Sequence, residues 1–383
     1  MQTLIYNGQI IIDGERRIDN GAILFDDKII IDVCENYDRY LANPNIEKIN
    51  ANDMWVTPGF VDNHTHGAVN YDFNDADSDA INTIGKYLVE EGITGFLATT
   101  TVESIERTRE IVKTIGSYKY EDGARCLGIH METPFLNEVY FSDHPIQYFR
   151  DADINEYREW QAVSNNFVKI LTLAPERNKS MEFIKTLKDE VVISIGHSDA
   201  TIEQIQIAKE SGAKAFTHLY NAMSQHLHRK PGVVTSAFLE DELYCELITD
   251  GMHIDIDVLR MTIKHMGVKR IILITDSMMG KGMPDGRYFL CGNWVIKEKN
   301  KTYKEGDISI AGSIMPLNEM CKSIMNWCNL SINEIVQMAC VNPNKLVNRV
   351  EKGSLEVGKD ADIVIFNKDM KPLKVFVEGN RKK

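Results

Sequence analysis

The chain has 383 residues, 43% of them apolar and 26% charged, with 43 Lys+Arg against 56 Asp+Glu for a net charge of −13. These values exclude disordered, collagen-like and coiled-coil chains, and the lack of a basic stripe argues against a nucleic-acid partner. No run approaches the roughly 18 uninterrupted apolar residues of a membrane span.

The length exceeds what one hydrophobic core usually serves, which predicts a large domain and a smaller one. The first residues, MQTLIYNGQIIIDGERR, do not read as a signal peptide. With 7 scattered Cys and no CxxC pair, free thiols and a cytoplasmic location are expected. The 10 His are the residues whose placement decides the chemistry.

Residues 1–53 alternate short apolar runs with turn signals at Asn7-Gly8 and Asp13-Gly14, the pattern of β-hairpins. ADIVIFN and KVFVEGN at the C-terminal end have the same character. Each set is too small to bury a core, so the two are expected to pair into one small domain, residues 1–53 plus 356–383. Between them, over 54–355, eight apolar runs alternate with helical patterns: 54–62, 92–100, 124–132, 168–176, 191–198, 214–220, 244–251 and 270–277. Eight β-then-α units in series predict an α/β fold, a (β/α)8 barrel. A Gly- and Lys-rich stretch after the eighth run, KGMPDGRYFLCGNWVIKEKNKTYKEGDISIAGS, predicts a hairpin excursion before the last helices.

In such a barrel the chemistry sits at the C-terminal ends of the strands. His64 and His66 follow the first run, two residues apart and so on one face. Glu132 closes the third run, where a buried carboxylate needs a partner or a metal. His130, two residues deeper, reads as a hydrogen-bonded core residue. His197, His218 and Asp276 end the fifth, sixth and eighth runs. Imidazole and carboxylate delivered to one rim from five strands suit a divalent Zn, Fe or Mn ion. With Asp276 beside it, that set fits hydrolysis by metal-activated water. His253 and His144 are further rim candidates. Arg229 and Lys230, near His226 and His228, offer either a phosphate contact or a solvated basic turn. Asn221 suits either a phosphate or sugar contact or a helix cap.

The motifs PGFVDNHTHG, GIHMETPFLN, GHSDAT, FTHLYNAM, RKPG, ITDGMHID, ITDSMMGKGMPDG and GSLEVGKDADIVIF occur in one order over nearly the whole chain. In this they resemble the N-acetylglucosamine-6-phosphate deacetylase family of the amidohydrolase superfamily. The resemblance implies a barrel with a small β-sandwich from both termini, and hydrolysis of the acetamide of N-acetyl-D-glucosamine 6-phosphate to D-glucosamine 6-phosphate and acetate. It implies Glu132, His197 and His218 on a principal metal, and His64 and His66 on a second with Glu132 bridging. Asp276 becomes general base and acid, and His144 orients or polarises the acetamide. Asn221, the Ala222 backbone, His253 and Arg229 bind sugar and phosphate, Arg229 across the interface of a homodimer. The partner is a small sugar phosphate, with no nucleic acid or membrane involved.

Two positions depart from the family pattern: Thr133 stands for the usual Gly after Glu132, and Ser277 for the usual Ala after Asp276. The competing readings are a deacetylase of N-acetylgalactosamine 6-phosphate, a cyclic amidase, and a catalytically inactive sugar-phosphate sensor. The cyclic amidase would want a lysine at the rim end of strand four, and Lys169 lies at the opposite end of that run.

Overall fold

A computed structural model describes residues 2–142, 144–307 and 309–383. Both termini build one eight-stranded sheet. Its order is Asn380–Arg381, Pro372–Val377, Ile363–Phe366, Trp55–Pro58, Gln2–Ile11, Arg17–Asp26 and Ile29–Cys34, with Glu47–Asn50 also paired to Gln2–Ile11. The period-2 pattern sorts its faces. Ile363, Ile365 and Phe376 pack on Ile5, Ile10, Ile23 and Phe25. Val364, Phe366, Val375 and Val377 turn the other way and join the main core.

Asp13-Gly14 falls between the first two strands, but Asn7-Gly8 does not make a turn. It lies inside Gln2–Ile11, where the register shifts between Ile5 and Gly8 and Asn7 takes φ 56°. The bulge lets one strand serve two neighbours. Thr3–Tyr6 pairs with Glu47–Asn50, and Gln9–Ile10 pairs with Trp55–Val56.

The barrel strands, one to eight, are Phe60–Thr65, Ile93–Thr100, Arg125–Glu132, Val168–Leu173, Val192–Ile195, Ala215–Phe216, Tyr244–Ile248 and Ile271–Ile274. Neighbours along this sequence pair in parallel. The (β/α)8 architecture expected from the sequence is the one observed. The run 54–62 is two strands, however, not one: Trp55–Pro58 belongs to the terminal sheet and only Phe60–Thr65 to the barrel. The change of partner falls at Gly59, whose N–H donates to Asp362 O at 3.0 Å, while the Phe60 N–H donates to Gly92 O at 3.0 Å; a Cβ at Gly59 would lie 2.1 Å from Thr94 Oγ1. The excursion after strand eight is also larger than a hairpin, a three-stranded antiparallel sheet of Gly286–Leu290, Asn293–Glu298 and Lys301–Lys304.

Strands one and eight close the barrel without a regular ladder. The fully buried Asp62 carboxylate accepts from the Thr275 N–H at 3.2 Å and from the Thr275 hydroxyl. Above it, the Asp276 N–H donates to His64 O at 2.8 Å, and the His66 N–H to Ser277 O at 2.8 Å. This seam fixes His64 and His66 beside Asp276. Burial pushes the Asp62 carboxyl up to about 6, against the pull of Lys281 and the Thr275 hydrogen bonds.

The loop after strand eight is anchored below the rim by the buried Lys281, whose ammonium lies 2.8 Å from Glu91 Oε2. The same oxygen accepts from the Leu317 N–H at the start of helix Leu317–Cys328. Removing one partner of a buried ion pair leaves the other uncompensated. Glu91→Ala is expected to destabilise the protein by about 3–5 kcal/mol, measured by denaturant unfolding. A change within about 0.5 kcal/mol, the range of ordinary surface substitutions, would show that the pair is not an anchor.

Among the described residues no helix is long and apolar enough to cross a membrane, and all seven cysteines are free.

Candidate active site

The strand ends deliver their polar side chains to one point. Glu132 Oε1 lies 3.2 Å from His197 Nε2 and 3.1 Å from His218 Nε2, and these two nitrogens are 3.1 Å apart. Glu132 Oε2 lies 3.1 Å from His144 Nε2 and 3.6 Å from His66 Nε2. Asp276 Oδ1 is 3.1 Å from His66 Nε2 and 3.5 Å from His64 Nε2. All five imidazoles and Glu132 are buried. Among the described residues the ion-pairing partners of Glu132 are imidazoles rather than a lysine or arginine.

Backbone geometry holds the cluster in place. His197, His218 and Asp276 take φ of 48°, 31° and 49°. This left-handed region costs a residue with a Cβ about 1–3 kcal/mol and is kept where function requires it. Glu176 braces the loop carrying His197: its carboxylate accepts from the Asp199 N–H at 2.7 Å, the Ser198 hydroxyl at 2.7 Å and the Asn137 amide at 2.8 Å.

The tautomers test whether a metal fits. His197 Nδ1 lies 2.8 Å from Tyr140 O and His66 Nδ1 3.2 Å from Thr99 O. A carbonyl only accepts, so each Nδ1 carries its hydrogen and each Nε2 turns a lone pair inward. His64 Nδ1 faces Glu246 Oε2 at 3.1 Å, and its buried Nε2 has no hydrogen-bond partner among the described residues. Lone pairs of several imidazoles thus face carboxylate oxygens at close range, an arrangement that needs positive charge at its centre. With only protons to supply it, burial opposes the charged rings, yet Glu132 and Asp276 hold His66 and His218 up at about 9. Despite its burial, Asp276 is held far below the usual carboxylate range by His64 and His66. Burial pulls His144 down to about 4, keeping it a neutral donor.

The pocket over this cluster is also lined by Asn221, Ala222 and His253. His253 Nδ1 donates to Asp250 Oδ2 at 2.7 Å, which leaves Nε2 for a ligand. The Asn221 amide donates to His218 O at 3.2 Å, so it braces the ligand loop and does not cap a helix. Arg229 is not in the pocket of its own chain. It sits at the exposed tip of a two-stranded ribbon, His226–Leu227 against Lys230–Pro231. The excursion, expected only as a hairpin before the last helices, contributes Leu290, Cys291 and Ile310 to the pocket wall. Nothing local in the sequence marks this.

Thr133 does not occupy a left-handed conformation. Its hydroxyl donates to Thr172 O at 2.7 Å and accepts from the Phe135 N–H at 3.2 Å, so the added bulk is absorbed by strand four. The Ser277 hydroxyl donates to Gly67 O at 3.0 Å and lies 2.9 Å from Thr65 Oγ1, tying strand eight to the loop after strand one. Lys169 sits at the opposite end of the barrel, bonded to Asn166 O at 2.8 Å.

A barrel whose strand ends converge on imidazoles and carboxylates defines a metal-dependent hydrolase of the amidohydrolase type. The chain belongs to the amidohydrolase family, whose model matches residues 55–382. It is 36% identical over 335 residues to N-acetylglucosamine-6-phosphate deacetylase of Bacillus subtilis (strain 168), covering 86% of this chain and 84% of that one. N-acetylglucosamine-6-phosphate deacetylase from Pasteurella multocida superimposes with a TM-score of 0.92 at 26% identity, covering 100% of this chain and 99% of the other. A mutant of the Mycobacterium smegmatis enzyme, in complex with N-acetyl-D-glucosamine-6-phosphate, gives a TM-score of 0.91 at 26% identity and the same coverage.

Proposed function

We infer that the protein hydrolyses the acetamide of N-acetyl-D-glucosamine 6-phosphate to D-glucosamine 6-phosphate and acetate, a step in the breakdown and recycling of amino sugars. The observation that carries this reading is the set of inward Nε2 lone pairs around Glu132, with Asp276 at their edge. The relatives named for this activity support the choice of substrate.

Glu132, His197 and His218 would hold a principal divalent metal, and His64 and His66 a second bridged by Glu132; Zn, Fe and Mn all suit these donors. A metal bound there supplies Lewis acidity, which brings the pKa of water toward neutrality and polarises a carbonyl. Asp276, ionised at neutral pH, accepts a proton from the attacking water and returns it to the departing amine. One carboxylate performs both transfers because the proton taken is the proton given back. His144, neutral with Nε2–H aimed into the site, donates to the acetamide oxygen as negative charge grows on it. His253 Nε2, the Asn221 side chain and the Ala222 backbone hold the sugar and phosphate. Arg229, exposed in its own chain, reaches the phosphate bound by a second copy in a homodimer. The protein acts in the cytoplasm on this small anion, which its net charge of −13 does not attract, so the local cations must.

The test is acetate release from a panel of N-acetylated hexosamine 6-phosphates. Turnover of the glucosamine epimer above the galactosamine epimer supports the reading. A reversed order assigns the other sugar. Sugar-phosphate binding without acetate release would make the protein a sensor.

A further inference from the structure

Glu246, on strand seven, lies beneath the cluster and takes no part in the chemistry described above. Its side chain is fully buried within the apolar run Tyr244–Ile248. One oxygen accepts from the His218 N–H at 3.2 Å and faces His64 Nδ1 at 3.1 Å; the other has no hydrogen-bond partner among the described residues. A buried carboxylate with so few donors is costly. The strand would be better packed with an apolar residue, unless positive charge stands within reach.

The group His64, His130 and Glu246 has the spacing of a metal site in its own right, but His130 is already engaged at both nitrogens. Its Nδ1 lies 2.9 Å from Asn63 O and its Nε2 2.8 Å from Thr172 Oγ1. His64 is different, since only its Nδ1 is engaged and its Nε2 points at the cluster.

We propose that Glu246 is the positioning residue of the second metal: it holds His64 in the Nδ1–H tautomer and raises the donor strength of Nε2. A carboxylate behind a ligating imidazole acts in this way in metal sites generally. This rests on the reading of His64 and His66 as ligands of a second ion. It also accounts for a carboxylate buried here with its other oxygen no closer than 3.8 Å to His130 Nδ1, because the charge of Glu246 is balanced through the His64 imidazole by the metal beyond it.

The test is Zn(II) titration of the metal-stripped full-length chain in competition with a chromogenic chelator, for wild type, Glu246→Gln and Glu246→Ala. Wild type is expected to bind two equivalents. In Glu246→Gln the first stays at wild-type affinity and the second weakens by about 10–100-fold. In Glu246→Ala the second weakens further, because Gln still offers an oxygen to Nδ1–H. The melting temperature of stripped Glu246→Gln, which keeps the side-chain volume and an acceptor for the His218 N–H, is expected to equal or exceed that of the stripped wild type. Two equivalents at wild-type affinity in both variants would overturn the inference alone. A fall in the stripped melting temperature that tracks the loss of metal would make Glu246 a structural residue and overturn it as well. A wild type that binds a single equivalent would overturn the two-metal reading, and the inference with it.

Discussion

Asp276→Asn is expected to lower kcat by about 10²–10⁴-fold, the usual contribution of a positioned acid–base group, while metal content and KM stay close to wild type. The substitution is nearly isosteric, and the φ of 49° that Asp276 requires is one Asn tolerates well. The Asp276 backbone N–H bonds His64 O across the seam between strands one and eight, and its carbonyl accepts from the Ser313 N–H; neither is touched. What is lost is the oxygen proposed to take and return the proton, together with the negative charge that His64 and His66 face at 3.5 and 3.1 Å. Steady-state kinetics and elemental analysis on one preparation check this. Near-normal turnover would remove Asp276 from the proton path.

The second large effect is expected at Glu132. Both of its oxygens are committed, Oε1 to His197 and His218 and Oε2 to His144 and His66. Glu132→Gln puts an NH₂ group where an anionic oxygen stood, directed at inward-facing imidazole nitrogens. Metal affinity should fall by more than the about 10–100-fold that outer partners of a metal site command, and activity should fall with it. Because Glu132 faces both His pairs, the variant is expected to lose affinity for every equivalent, whereas Glu246→Gln weakens only the second. Elemental analysis separates the two patterns. A Glu132→Gln protein that keeps its metal would place the ion elsewhere.

The barrel was legible because its strands are short apolar runs in regular alternation with helical patterns, and because ligand-type residues recur at their ends. What escaped is long-range. The 54–62 run looks continuous, and only its long-range partners, Ile363–Phe366 before Gly59 and Ile93–Thr100 after it, divide it between the terminal sheet and the barrel. Asn7-Gly8 carries a strong turn signal that the double pairing of Gln2–Ile11 converts into a bulge. Glu246 did leave a trace, a lone carboxylate inside the apolar run YCELI. His253, just past the run, is the more conspicuous rim candidate. Leu290, Cys291 and Ile310 left none, since their place in the pocket depends on how the excursion folds back across the mouth. The family resemblance supplied roles that spacing alone could not, above all for Arg229, whose exposed position within one chain explains nothing about a phosphate.

Metal add-back tests whether the cluster around Glu132 works through a bound ion. The protein is stripped with a chelator, and acetate release from N-acetyl-D-glucosamine 6-phosphate is followed as Zn(II), Mn(II) or Fe(II) is returned in substoichiometric steps. The cluster around Glu132 predicts no turnover in the stripped protein, then activity rising with added metal to a plateau at one or two equivalents per chain, with one acetate formed per glucosamine 6-phosphate. Full acetate release from protein shown to be metal-free would contradict it.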